Sequence, residues 1–491
     1  MSSADVPVGD ADQPNTAAPR GRALRNFGLL LTSEVAGQLI AFFLGAYLAR
    51  ALGVHGFGAW VWATAIIGYL VLSVDGGTET WGMREVSAHP ERLRGSVVNV
   101  LALRGVFVAL ALVLLTLIAA TAYPERRWAL VCGGTSLAAL ALQSGWAHRG
   151  LEHASPAFAS LLQRLCMLAA VLALVRAPAH AFEMTLIQGL TEIAAAVLLL
   201  ALLAPRLRTG ERVSLRRMRD IARTAWPFGG ARALRGLPFV LNAVILGYFW
   251  HDADVAHFGA AQRVAMLLLV LGTVFGTATF PAMARASVTG GETERRVIGA
   301  TFRLLATVLT PLVVGGVLVA TPLVALLFGP AYADAAAPLR VLFTAFFLTG
   351  VSDNLRRVLH ARHHQRQDLR LVITATAGGL AATAVLTPWL GAMGAAYATL
   401  AGELLLIVMV VRALAASGPA PPLAAALAFP ALAAAAMAAV VLLVRSYGLV
   451  ASVGAGALVY LGVLWLARAR LLDDLRQLEL RPPTTPRPDA A

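Results

Sequence analysis

Residues 48–87 read LARALGVHGFGAWVWATAIIGYLVLSVDGGTETWGMREVS, and this stretch decides the fold class. It contains a predominantly apolar run at 58–82, and about twenty apolar residues are enough for a helix to cross a bilayer. Within and just after that run, charged side chains appear only near its end, at Asp75, Glu79, Arg84 and Glu85. The stretch therefore predicts a membrane-spanning helix that ends at a polar surface.

The composition of the whole chain agrees with this prediction. Of 491 residues, 58% are hydrophobic and 13% are charged, and the mean hydropathy is +0.73. Soluble domains are typically about 25% charged. These proportions exclude a soluble enzyme and a disordered chain. The apolar runs are also too long and too continuous for the alternating strands of an outer-membrane barrel. The two cysteines, Cys132 and Cys166, lie far apart in apolar segments and indicate neither a disulfide framework nor a metal site.

Apolar segments of spanning length recur along the chain and predict an all-α polytopic membrane protein with about fourteen transmembrane helices. The segments fall at 27–49, 58–82, 96–120, 128–148, 156–176, 183–203, 225–249, 255–281, 298–320, 336–355, 369–389, 392–414, 423–444 and 449–467. The predicted parts are a disordered cytoplasmic tail at 1–26, a six-helix lobe at 27–204, an Arg-rich cytoplasmic linker at 205–224, a second six-helix lobe at 225–414, accessory helices 13 and 14 at 423–467 and a cytoplasmic tail at 468–491.

The basic residues predict the orientation. All forty are arginine, and the formal net charge is +14. Cytoplasmic loops carry the excess of basic residues in membrane proteins. With the N-terminus inside, the alternation places twenty-eight arginines in cytoplasmic segments and five on the other face. Both termini are therefore predicted to be cytoplasmic. The scatter of the arginines between apolar segments does not favour a nucleic-acid surface.

The two halves of the chain repeat a short motif. Phe57, Gly58 and Ala59 match Phe258, Gly259 and Ala260 at an offset of 201 residues, and Glu192 and Glu403 lie at similar depths in the sixth and twelfth segments. Repeats of this kind are typical of transporters, in which the substrate site lies between the repeated lobes. The sequence therefore predicts two similar lobes with a site at their interface.

The stretch at 48–87 resembles the opening of Wzx-type polysaccharide flippases, which belong to the multidrug/oligosaccharidyl-lipid/polysaccharide exporter superfamily. The matching positions are Ala49, Arg50, Leu52, Gly53, Gly56, Phe57, Gly58, Asp75, Gly77, Arg84 and Glu85. LLFGPAYADAAAPLRVL (326–342) resembles the family's loop into the tenth helix, and AMGAAYATLAGELLLI (392–407) resembles its twelfth helix. The resemblance extends over residues 23–468.

This resemblance implies a V-shaped pair of lobes that works by alternating access. It implies transport of an undecaprenyl-diphosphate-linked oligosaccharide across the bacterial cytoplasmic (inner) membrane, in lipopolysaccharide or exopolysaccharide biosynthesis. The expected partners are this lipid-linked glycan and the lipid bilayer, and the polysaccharide polymerase or export machinery is left open as a further partner. No nucleic acid, cofactor, metal or enzymatic activity is expected.

Charged residues within spans are the candidate site, because charge at membrane depth is costly and usually faces a cavity or a partner. Arg232 and Arg235 lie three residues apart, on one helical face beside Pro238. Arginine binds phosphate oxygens in pairs, so these two are predicted to hold the diphosphate. Arg263 and Arg164 are the further substrate-binding candidates. The alternative for Arg232 and Arg235 is anchoring at the headgroups, and the alternative for Arg263 is a structural role. For Arg164 the alternative is an ion pair with Glu192 in the next span.

Acidic residues near the membrane are candidates for coupling and gating. Glu34 is predicted to face the cavity, where it could bind a proton or cation. Asp75 and Glu79 lie four residues apart and are predicted to form gating pairs with Arg84 or with an arginine of the other lobe, or else to mark a helix end. Three alternatives to the flippase function remain. They are a cation-coupled multidrug antiporter, a flippase for the peptidoglycan precursor and, disfavoured by the short outer loops, a membrane glycosyltransferase.

Overall fold

A computed structural model describes residues 18–122, 124–177, 180–207, 211–418 and 422–478. The predicted tails therefore lie largely outside the described residues. The described side chains begin at residue 36, so the side chain of Glu34 is not among them. The side chains of Arg232 and Arg235 also lie outside the described part, although their backbone belongs to a described helix.

The described residues are almost entirely helical and contain no β-strand, as the sequence predicts. The helices are α1 (Ala18–Asp75), α2 (Thr78–Ala88), α3 (Leu93–Thr121), α4 (Pro124–Leu142), α5 (Gly145–Gly150), α6 (Ser155–Leu174), α7 (Ala181–Leu203), α8 (Leu215–Phe249), α9 (Asp252–Ala265), α10 (Leu267–Thr289), α11 (Gly291–Leu318), α12 (Ala320–Phe328), α13 (Ala336–Ala361), α14 (Gln365–Ser417), α15 (Leu423–Val444), α16 (Leu449–Leu466) and α17 (Arg468–Leu478). Short 3-10 turns occur at Pro90–Arg92, Ala204–Leu207, Pro330–Ala335 and Arg445–Tyr447.

Two glycines divide the longest helices. Gly53 in α1 has φ 64° and Gly391 in α14 has φ 56°, and a residue without a Cβ adopts such angles at little cost. Gly379 and Gly402, on either side of Gly391, touch each other, so the two halves of α14 form an antiparallel hairpin. Both divisions fall in the gaps that the sequence predicts between apolar segments.

The part of the chain that the structure describes has ten stretches long and apolar enough to cross a membrane. Two of them, Ala36–Ala88 and Gln365–Ser417, contain the hairpin glycines and each holds two helical segments. Helices α4 and α8 are not among the ten. The total of fourteen spans therefore stays a prediction.

The helices form two packed groups. The first lobe consists of α1–α7, in which α4 packs between α7, α3 and α1. The second lobe consists of α8–α14, in which α13 packs against α14, α10 and α11. The lobes meet where α1 lies against α9 and α8. This arrangement creates a long seam between the lobes.

Three C-terminal helices pack on the outside of the second lobe. Helices α15 and α17 both contact α11, and α16 packs on α15. The Tyr460 hydroxyl of α16 donates a hydrogen bond of 2.9 Å to the carbonyl of Thr307. The predicted seventh segment and cytoplasmic tail also differ in extent from the observed helices, because α8 begins at Leu215 and the tail contains α17.

Candidate functional site

A cavity of about 400 Å³ lies in the seam between the lobes. Its first-lobe wall comes from both halves of α1, with Gln38 and Thr64 as polar groups. Its second-lobe wall comes from α8, α9 and α10 and includes Gln262 and Arg263. Most of the remaining lining is apolar. The cavity therefore combines one cationic side chain with a mostly apolar lining.

Arg263 supplies the positive charge of this cavity. Its guanidinium lies over Trp60, 4.4 Å from the ring centroid, and 5.5 Å from the centroid of Phe57. Gly45 leaves room for it, since an added Cβ there would overlap the guanidinium. No carboxylate among the described side chains pairs with Arg263. Aromatic faces stabilise the cation but do not neutralise it, so its charge remains available to an anion.

An ion pair between the lobes seals one end of the cavity. Arg126 of α4 donates from Nε to Oδ1 of Asp252 on α9 at 2.7 Å, and its Nη2 lies 2.6 Å from the same oxygen. Arg126 also donates to the carbonyl of Gly247 and lies 5.0 Å from the Trp62 ring centroid. Both charged side chains are mostly buried, with 7% and 17% exposed. We call the end that contains this pair the outer end.

The repeated motif packs at the same outer end. Gly58 lies against the backbone of Asp252, and Gly259 lies against the side chain of Val61, so each motif glycine touches the other lobe. A side chain at Gly58 would collide with that backbone. The buried hydroxyl of Tyr332 adds a further tie, because it donates to the carbonyls of Ala49 and Gly53 at 2.9 and 3.1 Å.

The opposite end, which carries the Arg-rich loops, is also closed. Here the Gly76–Gly77 turn contacts Ala225 and Gly229 of α8 so closely that a Cβ on Gly77 or Gly229 would clash with backbone. The Arg84 guanidinium lies 5.6 Å from the Phe228 ring centroid. We call this the Arg-rich end. Glu85, the residue after Arg84 on α2, pairs with Arg217 of α8 at 3.0 Å.

The predicted gating acids Asp75 and Glu79 pair within their own lobe. Asp75 accepts from Arg104 at 2.5 Å, and Arg104 also donates to the Thr78 hydroxyl at 2.8 Å. Glu79 pairs with Arg149 of α5. Both described arginine partners belong to the first lobe, since Arg104 lies on α3 and Arg149 on α5. Arg84 contacts the other lobe through Phe228.

The predicted diphosphate residues lie in three places. Arg263 lines the interlobe cavity. Arg164 of α6 packs against Gly37 of α1. The sequence offered Glu192 as its partner, but the described hydrogen bonds of Glu192 are to Gln188 and Ser136. The backbone of Arg232 and Arg235 runs along α8 between Gly229, at the Arg-rich seam, and Val240, on the cavity wall.

Each lobe also contains a polar cavity of its own around one buried acid. In the first lobe, a cavity of about 420 Å³ holds Glu192, which accepts from the Gln188 amide at 3.0 Å. In the second lobe, a cavity of about 240 Å³ holds Glu403, which accepts from the Ser352 hydroxyl at 3.1 Å. The two acids occupy matching positions of the internal repeat. The repeat predicted that Glu192 and Glu403 correspond, but it did not predict a cavity around either acid.

Sequence reasoning missed two of the buried ion pairs. Neither Arg126 nor Arg104 was assigned an acidic partner from the sequence. The structure buries Arg104 completely and Arg126 almost completely. The sequence does contain an acid near a predicted helix end for each arginine, Asp75 for Arg104 and Asp252 for Arg126. Their presence does not predict which helices are neighbours in the fold.

Two helical lobes that enclose a partly polar cavity and touch at both of its ends are an arrangement typical of membrane transporters. The family model described as "Polysaccharide biosynthesis protein" matches residues 23–287, more than half of the chain. The chain belongs to this family, as the motif at 48–87 predicts. No relative was found among curated proteins.

Solved structures share the fold. A structure titled "Lipid II flippase MurJ, inward closed conformation" superposes with a TM-score of 0.75 at 11% identity, covering 90% of this chain and 99% of that chain. An inward-facing structure of a multidrug resistance MATE family transporter of the MOP superfamily superposes with a TM-score of 0.56 at 17% identity, covering 77% of this chain and 93% of that chain. An outward-facing structure of a transporter of the same family superposes with a TM-score of 0.52 at 18% identity, covering 81% of this chain and 95% of that chain. The chain therefore has the MOP fold, which confirms the predicted fold class.

Proposed function

We propose that this protein is a flippase that carries a lipid-linked oligosaccharide across the bacterial inner membrane during surface polysaccharide biosynthesis, with both termini in the cytoplasm. The family match supports a role in polysaccharide biosynthesis, and the MOP fold supports a transporter. The single observation that carries the substrate proposal is Arg263, a cation without a described acidic partner in the cavity between the lobes.

The diphosphate is the part of the substrate that this cavity is suited to bind. A diphosphate attached to a polyprenyl chain combines an anion with a long apolar tail, and the cavity combines Arg263 with an apolar lining. Guanidinium groups bind phosphate oxygens through paired, planar donors. Arg232, Arg235 and Arg164 are proposed as further phosphate ligands during the transport cycle. The sugar portion would occupy the wider polar space near Gln38 and Thr64.

We assign coupling and gating to the charged residues nearest the seam. Arg84 would hold the Arg-rich end closed through Phe228, and the Asp75 and Glu79 pairs would fix the α2 turn that carries it. Glu34 is proposed to face the cavity as a site for a coupling proton or cation. Removal of one partner from a buried pair leaves an uncompensated charge, so these pairs favour one defined position of α2.

Variants of Arg263 test the substrate proposal. We expect Arg263→Lys and Arg263→Gln to reduce export of surface polysaccharide about tenfold or more and to cause lipid-linked intermediate to accumulate, because lysine lacks the paired donor geometry. Arg340→Lys is the matched control, since Arg340 is exposed and its guanidinium hydrogen-bonds only the Thr321 hydroxyl among the described residues. Membrane abundance should stay normal in all three variants. Normal export by Arg263→Gln at normal abundance would remove the diphosphate role.

Two alternative functions have their own support. The fold likeness to MATE transporters and the buried acids Glu192 and Glu403 favour a cation-coupled multidrug antiporter. The fold likeness to the MurJ structure favours a flippase for a peptidoglycan precursor. A drug antiporter would lower the accumulation of cationic dyes in cells, whereas either flippase would leave dye accumulation unchanged. The two flippase functions differ in which glycan competes for transport.

A further inference from the structure

A groove of about 500 Å³ opens on the outside of the Arg-rich seam, separate from the interlobe cavity. One wall is α8, with Arg219, Arg223 and Trp226. The facing wall is α3, with Leu103 and Phe107. The groove thus brings two cations and three apolar side chains into one concave surface.

The charges of this groove are not neutralised by neighbours. Arg219 and Arg223 stand one turn apart on α8, and both side chains are exposed. Neither makes a hydrogen bond or ion pair within the described part of the chain. By contrast, Arg217 on the adjacent face of the same helix pairs with Glu85. Arg219 and Arg223 therefore face the groove without a described acidic partner.

The apolar side of the groove continues away from these charges. Trp226 follows Arg223 by three residues, and 66% of its side chain is exposed. Tryptophan with such exposure commonly lies at the boundary between headgroups and hydrocarbon. A ligand that fits this surface has an anionic head near Arg219 and Arg223 and an apolar chain that passes Trp226 and Phe107.

The groove also borders the closed seam. Gly76, which lines the groove, contacts Gly229 of α8 at the Arg-rich end of the cavity. Gly76 therefore belongs both to the groove and to the contact between the lobes at the Arg-rich end. Movement of α8 away from the Gly76–Gly77 turn would open the Arg-rich end directly beside the groove.

We infer that this groove is a loading site that binds the diphosphate and the first isoprenoid units of the lipid carrier before the Arg-rich end opens. Phosphate is held by the paired donors of Arg219 and Arg223, and the isoprenoid lies on Phe107 and Trp226. The inference rests on the proposed function, because it names where the substrate of that function first binds.

Photocrosslinking tests the site on the full-length protein in phosphatidylcholine nanodiscs. A photoreactive phenylalanine analogue replaces Phe107 in the groove or, as a control, Leu110, which is exposed on α3 outside the groove. Radiolabelled undecaprenyl diphosphate is the probe. We expect at least about fivefold more crosslinking from position 107 than from position 110, since position 107 lies in the groove with Arg219 and Arg223 and position 110 does not line it. Equal labelling at the two positions would contradict the inference.

Arginine variants test the role of the charges. We expect Arg219→Gln combined with Arg223→Gln to weaken undecaprenyl diphosphate binding at position 107 about tenfold. Arg216→Gln, which removes an exposed arginine of the same helix outside the groove, should change it less than about twofold. Equal losses in both variants would show that only overall surface charge matters. Displacement of the probe by equimolar phosphatidylglycerol would show a general anionic-lipid site and would also overturn the inference.

Failure of this inference can be told apart from failure of the proposed function. If the wild-type protein flips the lipid-linked oligosaccharide and the double glutamine variant flips it at the same rate, the groove is not the loading site and the function stands. If the wild-type protein neither binds undecaprenyl diphosphate nor flips the lipid-linked substrate, the proposed function itself fails.

Discussion

The buried arginines of this protein differ in the side chains that contact their guanidinium groups. Arg104 is neutralised by Asp75, and Arg126 is held by Asp252. Arg263 instead lies on aromatic faces, which leave it charged. Charge in a low-dielectric region is costly unless it is paired or put to use. This contrast supports the proposed role of Arg263 in ligand binding, whereas Arg104 and Arg126 form ion pairs between helices.

The Arg126–Asp252 pair should control the outer end. We predict that Asp252→Asn lengthens the distance between the lobes there, because breaking a buried pair costs about 3–5 kcal/mol and destabilises the closed arrangement. Spin labels at exposed positions 55 and 333, in a background without Cys132 and Cys166, would report the distance by electron paramagnetic resonance.

Arg127→Gln is the matched control for this prediction. Arg127 follows Arg126 directly but, among the described residues, donates only to the carbonyls of Ala119 and Ala122, within its own lobe. Its removal should leave the distance distribution unchanged. An unchanged distribution in Asp252→Asn as well would show that the apolar contacts at Gly58 and Gly259, and not the ion pair, close the outer end.

Sequence reasoning reached the right residue types at this scale but not the partners. It identified Arg263 and the acids Asp75 and Glu79 as important charges. It could not assign Arg104 to Asp75, because these residues are 29 positions apart and meet only after α2 folds back against α3. The reach of an arginine side chain allows both a headgroup contact and a buried pair, and the neighbouring helix decides between them.

At the scale of elements, the helical hairpins depend on glycine. Gly391 has φ 56° and ψ −133°, a region in which other residues are strained by about 1–3 kcal/mol. Trp250 lies 3.2 Å from where a Cβ would stand and donates its indole N–H to the carbonyl of Thr387 at 2.9 Å. We predict that Gly391→Ala lowers the thermal unfolding midpoint in detergent by several degrees, measured by fluorescence-detected size exclusion.

The control for the hairpin is Gly454→Ala. Gly454 lies within α16, has ordinary helical angles and has open space around its would-be Cβ. Alanine is favoured over glycine in a helix by about 0.8–1.0 kcal/mol, so this variant should unfold at the same or a higher temperature. A lower midpoint in Gly454→Ala than in Gly391→Ala would contradict the assigned role of the turn.

Helix α17 is attached to the second lobe by one ion pair. Asp474, of which 5% of the side chain is exposed, accepts from Nε and Nη2 of Arg303 at 3.0 and 2.6 Å. We predict that Asp474→Asn increases amide hydrogen exchange over residues 468–478. The substitution removes the negative charge of the carboxylate that accepts both hydrogen bonds from Arg303. Asp473→Asn should change exchange little, since Asp473 is exposed and its ion pair among the described side chains is with Arg476 of the same helix. Equal exchange in the two variants would show that α17 is held by apolar contacts alone.

Element boundaries were largely predictable because apolar length and glycine are local signals. The gap between the predicted segments at 369–389 and 392–414 contains Gly391, and the gap between 27–49 and 58–82 contains Gly53. The start of α8 was not predicted, because its first ten residues are polar and Arg-rich. That polar section packs against α2 and α3 at the Arg-rich end, a tertiary contact without a local sequence signal.

At the scale of the whole molecule, the two lobes touch at both ends of one cavity. The outer end is closed by an ion pair and the repeated glycine motifs, and the Arg-rich end by the Gly76–Gly77 turn against Gly229. Alternating access requires that each closure open separately while the cavity stays in place. The different chemistry of the two closures means that the opening of each can be altered by its own set of substitutions.

The measurement that tests the central claim most directly is substrate flipping by purified protein in proteoliposomes. A fluorescent undecaprenyl-diphosphate oligosaccharide is placed in both leaflets, and an impermeant quencher added outside reports how much of it can be reached over time. We predict that the wild-type protein makes nearly all of the probe accessible, whereas Arg263→Gln behaves like empty vesicles over the same period. Cationic dyes and the peptidoglycan precursor should not compete. Flipping that is unaffected by Arg263→Gln, or uptake of cationic dye without flipping of the oligosaccharide, would contradict the account.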